Sequence, residues 1–295
     1  MTTPRQPGFQ PRSHTRSRPR RLGAASAALL ALLAGVTACS SGDGGGPKPG
    51  VTAKKASATQ SAAPTPAPGP TAGACYQLPF DAAVAPTSDV AAIPCKQAHT
   101  SVTFAVGTVD AVVDGHLVAV DSQRVQNQVA TTCPARLMSY VGGTRTDIRL
   151  SMIRSIWFTP TVEQSDAGAS WFRCDAVLLD GSSQLAALTS SLKGALSGAT
   201  IPDAYAMCGT AAPDAKNFER VRCSQRHSWR AIGVIAFDQA RYPGENKVRA
   251  AGRTRCEDEA AKVATDPLSF KWGYEWPTAE QWGMGQKFGR CWTTD

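Results

Sequence analysis

The feature that most constrains this chain is the arrangement of its nine cysteines. Cys39 stands alone, and the other eight fall into two sets of four: Cys75, Cys95, Cys133, Cys174 and Cys208, Cys223, Cys256, Cys291. The residues around them repeat as well. Cys95-Lys96-Gln97-Ala98-His99 matches Cys223-Ser224-Gln225-Arg226-His227 in Cys, Gln and His. Pro160 to Cys174 aligns without gaps with Pro277 to Cys291, and Pro, Thr, Glu, Gln, Gly, Arg and Cys coincide, seven of the 15 positions. Self-similarity of this kind marks an internal duplication. It divides the ordered chain into a first unit over 74–180, a connector over 181–206 and a second unit over 207–295.

Each unit has one coarse order. A first Cys lies on a strand or loop, and a second strand leads into Cys-x-x-x-His. A β-rich run follows: Ser101 to Val109 in one unit, Ser228 to Phe237 in the other. Then comes a helix with the third Cys. Val125, Val129, Cys133 and Leu137 recur every four residues, and Gly142-Gly143 ends that helix. Val248, Cys256, Ala260 and Val263 form the corresponding face. Aromatic strands follow (Ile153 to Phe158; Phe270 to Tyr274), and a last strand carries the fourth Cys. The expectation is an α+β fold: two tandem, small, disulfide-stapled units. The Ser/Ala/Leu-rich connector reads as a short helix with loops.

Eight spaced cysteines in an exported chain form a disulfide framework rather than a set of thiols. About a hundred pairings are open to eight cysteines. Pairing within units, alike in both, leaves three. The favoured one joins first to second and third to fourth: Cys75–Cys95, Cys133–Cys174, Cys208–Cys223 and Cys256–Cys291. Cys-x-x-x-His supplies only half of a zinc site, and no second pair completes it, so no metal and no cofactor are expected. His99 and His227 then read as side chains bonding backbone after the disulfide turn, with a binding role as the alternative.

Export is written at the other end. Residues 1–38 contain six Arg and no Lys, Asp or Glu. Arg20-Arg21 precedes an uncharged Ala/Leu-rich run from Leu22 to Ala38, which reads as a signal peptide. The run is 17 residues, short of the roughly 20 strongly apolar residues of a membrane span. Gly23 and the alanines after it lack the flanks of a twin-arginine export signal. Val36-Thr37-Ala38-Cys39 resembles a bacterial lipobox, so Cys39 is expected to carry diacylglycerol and palmitate-type acyl chains and anchor the chain on the outer face of the cytoplasmic membrane. Residues 39–73, rich in Gly, Ser, Thr, Ala and Pro, form a linker with too little apolar surface to fold. The full chain has a net charge of +8, but without the leader 25 basic residues face 23 acidic ones. That balance removes the argument for nucleic acid as a partner.

No hydrolase elbow, zinc-protease helix or phosphate-binding loop occurs. Glu163 and Glu280 are the acids that match between units. One carboxylate per unit does not make a glycosidase pair unless both face one cleft. The plainer expectation is that each bonds local backbone or Arg173 and Arg290. Five of seven tryptophans fall in the second unit. Trp276 and Trp282 flank a turn and are the expected exposed pair, suited to a protein surface or a sugar face.

The twice-used order of Cys75, Ile93, Cys95, His99, Cys133, Pro160, Trp171 and Cys174, then Cys208, Val221, Cys223, His227, Cys256, Pro277, Phe288 and Cys291, resembles the septum formation domain family of actinobacterial envelope proteins. Ala98 and Arg226 stand where many members have Pro. The resemblance implies a role near division septa. The expected function is therefore non-catalytic binding of an envelope or divisome protein through protein–protein contacts. The alternative is a wall-glycan-binding module or weak hydrolase that uses aromatic residues with Glu163 and Glu280.

Overall fold

A computed structural model describes residues 68–295. The leader, Cys39 and the linker up to residue 67 lie outside them, and so do the expectations attached to those residues. Among the described residues no helix is long and apolar enough to cross a membrane.

The first half builds an antiparallel sheet from β1 (Cys75–Tyr76), β2 (Ser101–Thr108), β5 (Ile153–Phe158) and β6 (Trp171–Leu178), in the order β1-β2-β6-β5. A short helix, α1 (Phe80–Ala83), follows β1, and a separate hairpin, β3 (Val112–Val113) and β4 (His116–Leu117), follows β2. Asp114 and Gly115 turn this hairpin with φ of 51° and 80°, the left-handed values that an Asp-Gly pair tolerates. Helix α2 (Gln123–Val141) then packs on the sheet, followed by α3 (Arg145–Leu150) and, after β5, α4 (Val162–Asp166). The second half builds its sheet from β7 (Met207–Gly209), β8 (Arg220–Arg222), β9 (Trp229–Ala236), β10 (Trp272–Glu275) and β11 (Phe288–Thr294), in the order β10-β11-β9-β7-β8, with helices α5 (Glu245–Val263) and α6 (Ala279–Gly283).

The sheets share more than strand order. Each has a one-residue bulge beside its last cysteine: between Thr103 and Ala105 opposite Asp175 and Cys174, and between Ala231 and Gly233 opposite Trp292 and Cys291. The long helices are both 19 residues. Ser122 caps α2 by accepting from the Val125 N–H. Gly142 and Gly143 end it at φ of 74° and 73°, where a Cβ would strike Ser197 and the Leu196 carbonyl. The buried stripe of α2 is Val125, Gln126, Val129, Cys133, Leu137 and Val141; that of α5 is Val248, Gly252, Cys256 and Ala260. Val263, expected on the second stripe, is exposed at the last position of the helix.

The disulfides are Cys75–Cys95, Cys133–Cys174, Cys208–Cys223 and Cys256–Cys291, the pairs favoured above. Two tie the first strand of each half to the loop or turn near the histidine, and two staple the long helix to the last strand.

The connector contains no helix. Its backbone groups are taken by other segments: Leu188 exchanges hydrogen bonds with His99, Ala186 N–H donates to Leu178 O, and Leu196 N–H donates to Val141 O. These bonds to segments distant in the sequence replace the i to i−4 ladder that a helix needs. Leu188, Leu192 and Leu196 are buried in the largest apolar cluster, which also holds Ile153, Ile156 and Phe158 of the first half and Met207, Ala231 and Trp292 of the second. One core therefore draws on both halves and on the segment between them.

Candidate functional site

The residues singled out above separate clearly. His99 is buried, with Nδ1 2.8 Å from Gln97 O, and its backbone holds the connector through Leu188. In His227, both ring nitrogens face oxygen acceptors: Nδ1 lies 2.7 Å from Gln225 O and Nε2 2.8 Å from Asp295 Oδ2. Arg230 Nε donates to the same Asp295 oxygen at 2.7 Å, and Arg230 Nη1 donates to Asp203 at 3.0 Å. Burial pushes the Asp295 carboxyl up, but the bonds from His227 and Arg230 outweigh it and hold the carboxyl below its ordinary value. Cys208 Sγ, His227 and Asp295 come within 4.8 Å of one another, but that sulfur is bonded to Cys223 and is not a thiolate ligand.

Glu163 and Glu280 both lie exposed on short helices. The shared motif around them is a capping device. Thr161 and Thr278 accept from the N–H of Gln164 and Gln281, and each glutamine reaches back to the backbone N–H of its threonine. Gly168 and Gly285 follow the helices with φ of 97° and 93°. The Glu163 carboxyl is lowered by its own backbone N–H and by the Thr161 hydroxyl. Arg173 and Arg290 pair elsewhere.

Trp282 is 4% exposed, with Nε1 donating to Ala240 O at 3.3 Å and with Phe237 and Tyr242 against its ring. It is a core side chain, contrary to the expectation of exposure. Trp276 is half-buried against Ile235, Cys256, Tyr274 and Cys291, with the Arg249 guanidinium 5.1 Å from its ring centre.

The buried charges were not foreseen. Asp175 accepts from Ser101 Oγ at 2.7 Å and Thr103 Oγ1 at 2.6 Å and lies 3.3 Å from Arg173 Nε. The Arg173 guanidinium sits 3.8 Å from the Tyr76 ring and 4.4 Å from the Phe158 ring. Burial raises the Asp175 carboxyl above its ordinary value although Arg173 and the two hydroxyls oppose it. In the second half Glu275 Oε1 accepts from Arg220 and, at 3.4 Å, from Arg290 Nη1, while Arg290 Nε donates to Arg149 O at 2.9 Å. Burial would raise Glu275; the two arginines hold it down. Burial, with Arg290 and Arg220 nearby, pulls Arg154 down to about 9. The cross-strand register explains the difference between the halves: Phe158 lies opposite Arg173, and Glu275 lies opposite Arg290. The acid comes from the same strand two residues on in the first half and from the neighbouring strand in the second, so the repeated motif does not reveal it.

A surface feature with room for a ligand lies in the first half. A cleft of about 160 Å³ opens between Pro86–Thr87, Val120–Asp121 and Pro160–Val162, with Gln126 and Thr159 in its wall. Gln126 Nε2 donates to Val120 O and to Thr159 Oγ1, both at 3.0 Å. Along the chain just before Val120 stands the β3–β4 hairpin, where Val112 is 51% and Leu117 82% exposed and His116 is exposed between Gly115 and Leu117. The sequence signal for this hairpin was available in Val112-Val113-Asp114-Gly115-His116-Leu117, an Asp-Gly turn between Val-Val and His-Leu.

A family model described as septum formation matches residues 72–291 in one span. No curated protein and no solved structure matches the chain.

Proposed function

Since the chain belongs to the septum formation family, we propose that it is a lipid-anchored, exported binding protein of the cell envelope that serves septum formation or wall assembly through protein–protein contacts and without catalysis. The family points to division or the envelope. The anchor at Cys39, the signal peptide over 1–38 and the linker over 39–73 complete this reading from the sequence alone, and they set the protein on the outer face of the cytoplasmic membrane.

The observation that carries the binding role is the first-half surface, where the β3–β4 hairpin exposes Val112 and Leu117 on a segment that leads directly into the cleft wall at Val120. Exposed apolar side chains paired across a surface hairpin are suited to a partner's apolar surface. A protein partner is favoured over wall glycan because neither Glu163 nor Glu280 lines this cleft. Duplication is part of the same reading. Two copies of one ancestral unit account for the matched cysteines, sheet orders, bulges and capping motifs. The family match runs as one continuous span over both halves.

The test has two arms. Radiolabelled palmitate should enter the full chain and not Cys39→Ser. Affinity capture from detergent-solubilised envelopes should recover a defined membrane protein with wild type and lose it with the double variant Val112→Lys, Leu117→Lys. Equal recovery by wild type and variant, or recovery of wall glycan alone, would overturn the proposed role.

A further inference from the structure

The two halves differ at one pair of positions beside the cleft. Gln126 and Arg249 each lie seven residues before the helix cysteine, and Thr159 and Trp276 each precede the Pro-Thr-x-Glu-Gln motif. In the second half these positions are filled. The Trp276 indole packs on the cluster around Cys256, Tyr274 and Cys291, under the Arg249 guanidinium. In the first half the same positions hold Gln126 and Thr159, bonded to each other, and beside them is the cleft. We propose that this cleft, beside the sequence position that corresponds to Trp276, binds a tryptophan side chain presented by a partner protein.

Size and chemistry agree. A volume of about 160 Å³ is close to the roughly 150 Å³ of a cavity that accepts a benzene ring. It is well below the ~300–1,000 Å³ of sites for whole small molecules, which disfavours a sugar or a cofactor. Pro86, Val120, Pro160 and Val162 supply apolar walls. Gln126 commits its amide nitrogen to Val120 O and Thr159 Oγ1, so its carbonyl oxygen is the group it can offer an indole N–H. The ionisable residue lining the cleft is Asp121. The segment around the incoming tryptophan is accordingly neutral or basic, as Arg249 is beside Trp276.

The inference rests on the binding-protein reading for the source of the side chain, and on the cleft for its chemistry. The probe is N-acetyl-5-fluorotryptophanamide, titrated by fluorine NMR against the full chain in detergent. Wild type should give a saturable shift. Thr159→Trp, which installs the second half's own residue, should abolish it and set the micelle baseline. Val162→Asp, at the exposed rim and harmless to folding, should weaken binding roughly tenfold, the ratio for about 1.4 kcal/mol. No saturation with wild type, or equal shifts in all three proteins, overturns the inference. Saturable probe binding with no captured envelope protein would sink the function proposed above and leave the cleft's specificity standing. A captured partner indifferent to Thr159→Trp and Val162→Asp would do the reverse.

Discussion

At the scale of single residues, Glu275 is the most exposed to test. It is a buried carboxylate held ionised by Arg220 and Arg290, with Arg154 close by. Its folded value lies below its ordinary 4.5, so the stability it contributes is present above that value and is lost as pH falls through the folded value. Asp295 acts in the same direction, more weakly because it is more exposed. Asp175 acts in the opposite one: its raised folded value gives stability that is full below its ordinary 3.8 and is lost as pH rises through the folded value. Glu275→Gln leaves the arginines unpaired and should cost about 3–5 kcal/mol at pH 7. The urea midpoint of wild type should fall as pH drops below the ordinary 4.5, and that of the variant should fall less; an unchanged acid limb would contradict this. Only part of this scale was legible in the sequence. Arg173 and Arg290 were marked by the repeat, but their acids were sought in Glu163 and Glu280. Those lie in the matched motif, whereas the true partners are Asp175 and Glu275, two residues away on the same strand and directly across a sheet.

At the scale of elements, the matched motif is a helix cap, and that reading is separable from a catalytic one. Thr161→Ala should cost about 1 kcal/mol and Thr278→Ala a similar amount, as lost N-caps do. Glu163→Ala should change the thermal midpoint little, since its carboxylate is exposed. Midpoints measured by circular dichroism decide this, and a large loss from Glu163→Ala would contradict it. Gly252 gives a sharper test. An Ala there improves helix propensity by roughly 1 kcal/mol, but its Cβ would lie 2.2 Å from the Tyr274 ring. Overpacking of about 1–3 kcal/mol should win, and the variant should melt lower. The long helices, the glycine stop of the first and the cysteine pairing could be read from spacing, because each is a local or repeated pattern. The connector could not. Its leucines carry a helical look, and its fate was decided by bonds to His99, Leu178 and Val141 from outside the segment.

At the scale of the whole molecule, the two halves share a core that runs from Ile153 and Phe158 through Leu188 and Leu192 to Met207 and Trp292. Sequence similarity announces two units, but it carries no information about whether they bury surface against each other. The shared core predicts one calorimetric transition for the full chain with its disulfides intact, and no folded product from residues 68–206 alone. Two separated transitions would contradict it. The functional claim also belongs to this scale. It holds that one face of the first half, from the β3–β4 hairpin to the cleft, meets a protein in the envelope. The most direct measurement is photo-cross-linking in living cells, with benzoylphenylalanine placed at Leu117 and, as a control, at Leu268, which is 96% exposed in the second half. A discrete protein adduct should form from Leu117 and none from Leu268. Equal adducts from both positions, or capture of glycan alone, would contradict it.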